Sequence, residues 1–153
     1  MPGSDRAALV ATGWAADANA LAQFLDEPNL ARIATIDDAG RPHVVPAWFW
    51  WDGMDFYIGA DLADRKVRHV RRTGEAGIEI DSDVRRKRGI YANGAARVID
   101  GPDARAEYIR ITVEQVRRYQ PGRPRQETAI RNASHGTPVV IVIRPEHLLS
   151  WGR

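Results

Sequence analysis

Arg65 and Lys66 stand side by side where an apolar run, Met54 to Ala60 (MDFYIGA), gives way to ADLADRKVRHVRR. If the second segment is a helix, both cations fall at its start. Free backbone N–H groups and the positive end of the helix dipole favour an anion there. Two cationic side chains at that point suit a phosphate. The plainer alternative is a solvated basic helix, and Arg68, Arg71 and Arg72 further along are expected to face water. Tyr57 and Tyr91 have the right type for a proton donor, but no side chain is assigned a catalytic role. Cysteine chemistry is excluded, because there is no cysteine. His43, His69, His135 and His147 lack a metal-binding spacing, and no serine sits in a nucleophile elbow. No glycine-rich dinucleotide loop or Walker motif is present. The run Arg85 to Arg88 reads as an exposed loop between strands. A net charge of +2 is too small for a protein that coats nucleic acid, so no nucleic-acid partner is expected.

The elements that must position these residues fit in one domain, 1–153. Hydrophobic residues make up 44% of the chain, enough for a core, and no apolar run approaches the roughly 20 residues needed to span a bilayer. No signal-peptide pattern opens the sequence, so no membrane association and a cytoplasmic location are expected. Charge is uneven: residues 1–61 carry nine acids and three bases, residues 62–153 eleven acids and nineteen bases. The net +8 of the second part would attract an anion.

Asp17 can cap a short helix through Phe24 and Leu25, stopped near Pro28. Leu30–Asp37, Val44–Trp51 and Met54–Ala60 read as strands. A short helix over Arg65–Thr73 follows, with Asp61 or Asp64 as its cap. Ala76–Asp81 and Ile90–Asp100 are strands. Gly101-Pro102 opens a helix to about Tyr119, with Ile109, Val113 and Val116 at helical spacing. A second helix is expected over Arg125–Ser134, and a last strand over Pro138–Arg144. Together these predict a mainly β (α+β) protein: a small antiparallel barrel with helices outside it.

Asp52-Gly53 between two β-prone runs predicts a two-residue hairpin turn. In that register Trp51 faces Met54, Phe49 faces Phe56, Ala47 faces Ile58 and Val45 faces Ala60, an all-apolar set expected inside the barrel. The other side carries Val44, Trp48 and Trp50 with Tyr57 and Gly59. It is expected to be covered by a helix, a second subunit or a flat ligand, and Gly59 opposite Pro46 would let the cover approach the backbone.

The order LARIATIDDAGRPHVVPAWFWWDGMDFYIGA, then DRKVRHVRRTGEAGIEID, then GIYANGAARVID resembles the split-barrel flavoproteins related to pyridoxamine 5′-phosphate oxidase. Ala34-Thr35-Ile36, Gly40, Pro42, Pro46, Trp48-Phe49, Lys66, Arg71-Arg72 and Ser150-Trp151 match its recurring positions. The nearest likeness is to the flavin- and deazaflavin-dependent oxidoreductases of actinobacteria. The resemblance implies a six-stranded antiparallel split β-barrel with flanking helices, a homodimer, and F420 or FMN in the groove between subunits. It further implies hydride transfer with a small-molecule substrate. Carried over, Val45, Pro46, Ala47 and Trp48 would line the ring. Ile58, Gly59 and Ala60 would flank the ribityl chain, Arg65 and Lys66 would hold the phosphate, and Trp151 of the partner subunit would close the site. His69-Val70 stands where the family often has Asn-Leu. The longer substrate-phosphate signature of vitamin B6 oxidases is missing, so that reaction is not the expected one. A non-catalytic flavin, F420 or haem carrier on the same barrel is the alternative.

Overall fold

The computed structural model describes residues 9–82 and 87–152. Its eight strands form one sheet, in the order β3-β2-β6-β7-β8-β5-β4 with β1 added alongside β8. In chain order they are β1 (Val10–Thr12), β2 (Ala31–Ile36), β3 (Pro42–Ala47), β4 (Trp50–Trp51), β5 (Phe56–Asp61), β6 (Glu75–Ser82), β7 (Arg88–Ile99) and β8 (Pro138–Trp151). All pairings are antiparallel except β1 with β8. The end strands β3 and β4 are joined by two residues, Trp48 and Phe49, so the sheet must curl until its ends nearly meet. This is the expected mainly β, split-barrel fold. Four helices flank it: α1 (Ala18–Asp26), α2 (Arg65–Thr73), α3 (Ala104–Tyr119) and α4 (Arg125–Asn132). No helix among the described residues is long and apolar enough to cross a membrane.

The interior is built by alternation. Ala47, Ala31, Ile80 and Ile90 form one cross-strand row, and Val45, Ile33, Ile78, Ala92 and Leu148 the next. Ile33, Ile78, Ile80 and Ile90 are fully buried, each worth about 1.5–3 kcal/mol of transfer free energy. Asp17 caps α1 as expected, its Oδ1 accepting from the amides of Asn19 (2.9 Å) and Ala20 (3.2 Å).

The expected hairpin is corrected in two ways. Trp51 pairs with Phe56 and Trp50 with Tyr57, so residues 52–55 form a four-residue loop. Asp52 Oδ1 accepts from the amides of Met54 and Asp55, holding the chain in the turn past Gly53. The slip is two residues, so the faces keep their identity: Phe49, Phe56, Ile58 and Ala60 remain interior, while Met54 is exposed in the loop. The strand Val44–Trp51 is also broken. Its first part pairs with β2 and only Trp50–Trp51 pairs with β5.

Three other features differ. The last strand runs to Trp151 rather than Arg144. A short β1 pairs with its end. On α3 the deepest positions are Ile111, Thr112, Gln115 and Val116; Ile109 and Val113 are only half-buried. Of the basic run, Arg85 and Arg86 lie outside the described residues. Arg88 is not in an exposed loop: it begins β7, packs against the rings of Trp14 and Phe24, and pairs with Glu27 at 2.8 Å.

Candidate functional site

α2 begins directly after β5, and the turn between them is tied together by carboxylates. Asp61 Oδ1 accepts from the Ala63 amide (2.8 Å) and Oδ2 from the Thr137 amide (2.9 Å). Asp64 occupies the N-cap position but does not cap. Its Oδ2 accepts from the Asp61 amide (3.0 Å) and from Lys66 Nζ (2.9 Å). Burial opposes ionisation of Asp64, but Lys66 and the Asp61 amide outweigh it and hold the carboxyl below its usual range. The first-turn amides of α2 therefore receive no side-chain cap. Arg65 is exposed beside them and pairs with no carboxylate among the described residues. A cleft of ≈ 350 Å³ adjoins this turn, lined by Gly59, Ala60, Asp61, Asp64, Tyr108 and His135 among others.

Nine of the ten residues expected around a cofactor fall into three groups, and Trp48 stands apart. Gly59, Ala60, Arg65 and Lys66 come together at the β5–α2 junction. Val45, Ala47 and Ile58 belong to the barrel interior. Pro46 and Trp151 lie on the outer face of the sheet, and both are exposed. Trp48 goes elsewhere: it stacks on Tyr119 of α3, with ring centroids 4.9 Å apart.

The face carrying Trp50 and Tyr57 is covered within the chain by α3. These rings pack with Ile111, Val140, Val142 and Tyr108, and the Arg110 guanidinium lies over Trp50 at 4.8 Å. Gly59 does admit a close neighbour: a Cβ there would stand 2.7 Å from the Tyr108 ring. Tyr57 is not placed to give up a proton. Burial, and then Asp52, which accepts its O–H at 2.9 Å, push the phenol up to about 12.

A second face is left open. The outer side of β3, β2, β6, β7 and β8 presents Pro46, Arg32, Glu79, Tyr91 and Leu149 as one cross-strand row. Val44, Tyr91, Leu149 and Trp151 are exposed there, with Val10 of β1 beside them. At its centre Arg32 pairs with Glu79 (3.2 Å) and Asp81 (2.5 Å). Burial, then the neighbouring Asp81, lifts the Glu79 carboxyl above its usual range despite that pairing.

Sequence reasoning missed a buried histidine cluster at one end of the barrel. Thr35 and His43 are cross-strand neighbours, and His69 of α2 shares a 2.9 Å hydrogen bond with Thr35 through Nδ1. The His43 and His69 rings meet edge to face at 5.1 Å. His69 Nε2 and His43 Nδ1 are buried without a partner in the described structure. The departure at His69-Val70 from the Asn-Leu pattern was the only signal. Among the described residues no three potential ligands stand together as a metal site.

The family model for pyridoxamine 5′-phosphate oxidase matches residues 18–152. The chain belongs to that family. Solved structures of the same fold include a conserved hypothetical protein from Mycobacterium tuberculosis (TM-score 0.73, 19% identity, 94% of this chain and 86% of that one). An F420 reductase aligns with TM-score 0.62 and 22% identity, over 82% of this chain and 93% of the reductase. The haem storage protein HutZ from Vibrio cholerae aligns with TM-score 0.65 and 16% identity, over 84% and 89%. No curated protein matches the sequence. At these identities the solved structures share this family member's fold, which hosts more than one function.

Proposed function

We propose that this family member binds a phosphorylated flavin or deazaflavin, F420 or FMN, between two copies of the chain, as an oxidoreductase for a small organic molecule. The observation that carries the reading is the start of α2: first-turn amides without a side-chain cap, beside an exposed Arg65 that pairs with no carboxylate among the described residues. A phosphate fits this donor set, since amides and guanidinium all donate and the nearby Asp61 and Asp64 oxygens already accept from backbone amides or Lys66. Arg65 would hold the phosphate, with Lys66 fixing Asp64 behind it. When bound, such a cofactor supplies the hydride chemistry, and the protein supplies orientation and electrostatics.

One copy offers the ring a single wall. The open outer face, with exposed Val44, Leu149 and Trp151, is suited to a second copy that would provide the other. The net +8 of residues 62–153 favours F420, whose acidic tail extends beyond the phosphate, over FMN. The F420 reductase that shares this fold is consistent with that choice.

Titrating the purified protein separately with F420 and FMN, and following quenching of cofactor fluorescence, tests the reading. Micromolar or tighter binding of one of them is expected. Arg65→Ala should weaken it by about 1.5–3 kcal/mol, the usual worth of a hydrogen bond to a charged group. Binding of neither cofactor, or an unchanged affinity in Arg65→Ala, overturns it.

A further inference from the structure

We infer that His43 and His69 form an acid-sensitive latch between the β2–β3 hairpin and α2, closed while both rings are neutral and opened by protonation while the rest of the barrel stays folded. The hairpin needs such a tie. β3 is the end strand of the sheet, and β2 pairs with β6 only from Ala31 to Ala34. From Thr35 onward β2 and β3 pair with each other. Among the described residues, the polar ties of this end to the rest of the chain run to α2. Thr35 Oγ1 and His69 Nδ1 share their 2.9 Å bond. Arg72 Nη2 donates to the carbonyls of Ile36 (2.5 Å) and Asp37 (2.7 Å), and Arg72 Nε pairs with Asp38 at 3.2 Å.

The histidine nitrogens make the latch conditional. His69 is 1% exposed, and its ring meets that of His43 edge to face. With Nδ1 held by Thr35, the other ring nitrogen of His69, Nε2, is buried without a partner in the described structure, and so is His43 Nδ1. Imidazolium carries N–H on both nitrogens. A protonated His69 is therefore a buried charge whose Nε2–H nothing receives, packed against a second ring that can also charge. Such a group is stabilised once water reaches it, and separating the hairpin from α2 admits that water.

The surrounding charges do not offset this. Asp37 and Asp38 of the turn favour the proton on His69, but burial first, then His43 and Arg68, outweigh them. Asp38 is already shared by Arg68 and Arg72. Asp37 Oδ1 accepts from the amides of Ala39 and Arg41. On the β7 side of α2, Arg71 pairs with Asp100. Each proton taken up thus adds to a helix face that already carries Arg68 and Arg72.

His69 lies one turn after Arg65, so opening also shifts the start of α2. Release of a bound cofactor in acid is a consequence that rests on the proposed function; the latch itself does not, and it is tested on protein without cofactor. Hydrogen–deuterium exchange, corrected for the intrinsic pH dependence of amide exchange, compares pH 7.5 with pH 5.5. At pH 5.5, one unit below the ordinary histidine value of 6.5, each histidine that must stay neutral when closed favours opening by up to about tenfold. Protection of residues 42–47 and 65–73 should fall by about fivefold or more, while that of residues 138–143 in β8 holds. His69→Gln keeps a group able to bond Thr35 but cannot titrate, and should remove most of the difference. In the unsubstituted protein, NMR of the imidazole rings should show His69 titrating at lower pH than the exposed His135 and His147. Equal protection at the two pH values, a fall that spreads equally to β8, a fall that survives His69→Gln, or a His69 that titrates together with His135 and His147 would overturn the latch.

Discussion

Arg118 carries its charge into the protein with no carboxylate in salt-bridge contact among the described residues. It is 8% exposed, and it donates to the carbonyls of Leu25 and Phe49 and to the Tyr119 hydroxyl while lying over the Phe49 ring. Burial pulls its guanidinium below the ordinary value. The return is structural: one side chain ties the end of α1 to the two-residue link that joins the sheet's ends. Arg118→Met should leave two buried carbonyls unpaired and cost on the order of 3 kcal/mol, at ~1–3 kcal/mol each, measured by urea unfolding. No feature of the sequence marked this arginine among the twenty on the chain, because its partners are backbone atoms remote in sequence. His69 was marked only by its departure from the family's Asn-Leu pattern, which says nothing of its burial. Burial first, then His43 and Arg68, lowers its pKa from 6.5 against the pull of Asp37 and Asp38. A base with a depressed folded pKa is stable as the neutral form, so the unfolded chain takes up the proton first. The His69 contribution should be complete above pH 6.5 and lost as pH falls below it. Urea midpoints at pH 7.5 and pH 5.5 check this, and His69→Gln should flatten the difference.

At the scale of elements, the turns show why some features were legible and others were not. Asp-Gly correctly marked a turn between β4 and β5, and alternation correctly marked the inward face. The loop length was misread because Asp52 captures the amides of Met54 and Asp55, a choice made by side-chain geometry rather than residue type. The break at Trp48–Phe49 was hidden for a different reason: both sides of it are β-prone, and only closure of the sheet requires the chain to change partners. The bulge at Gly94, where the β7–β8 pairing shifts register and a Cβ would meet the Arg144 carbonyl oxygen, was hidden likewise, because one glycine in a strand has several meanings. Gly94→Ala should cost about 2 kcal/mol or more, the range for a backbone clash in a packed sheet. Gly122→Ala, where nothing lies within 4 Å, should change stability by less than about 0.5 kcal/mol. Thermal unfolding of the pair compares them directly.

For the molecule as a whole, the fold followed from the order and spacing of loose motifs, which together cover nearly the entire chain. The arrangement of the site did not follow as directly. The expected cover over Trp48 and Trp50 is α3 of the same chain, so those tryptophans are spent on packing. The uncovered surface lies instead around Val44, Tyr91, Leu149 and Trp151, where the sequence had suggested only part of a face. The account therefore needs two copies of the chain to complete a cofactor groove. Sedimentation velocity of the protein mixed with F420 or FMN, recorded at a protein wavelength and at the cofactor's visible band, tests this most directly. The account predicts one species near twice 17.1 kDa carrying the visible band of at least one cofactor. A 17.1 kDa monomer at micromolar concentration, or a dimer that leaves both cofactors behind at the meniscus, would contradict it.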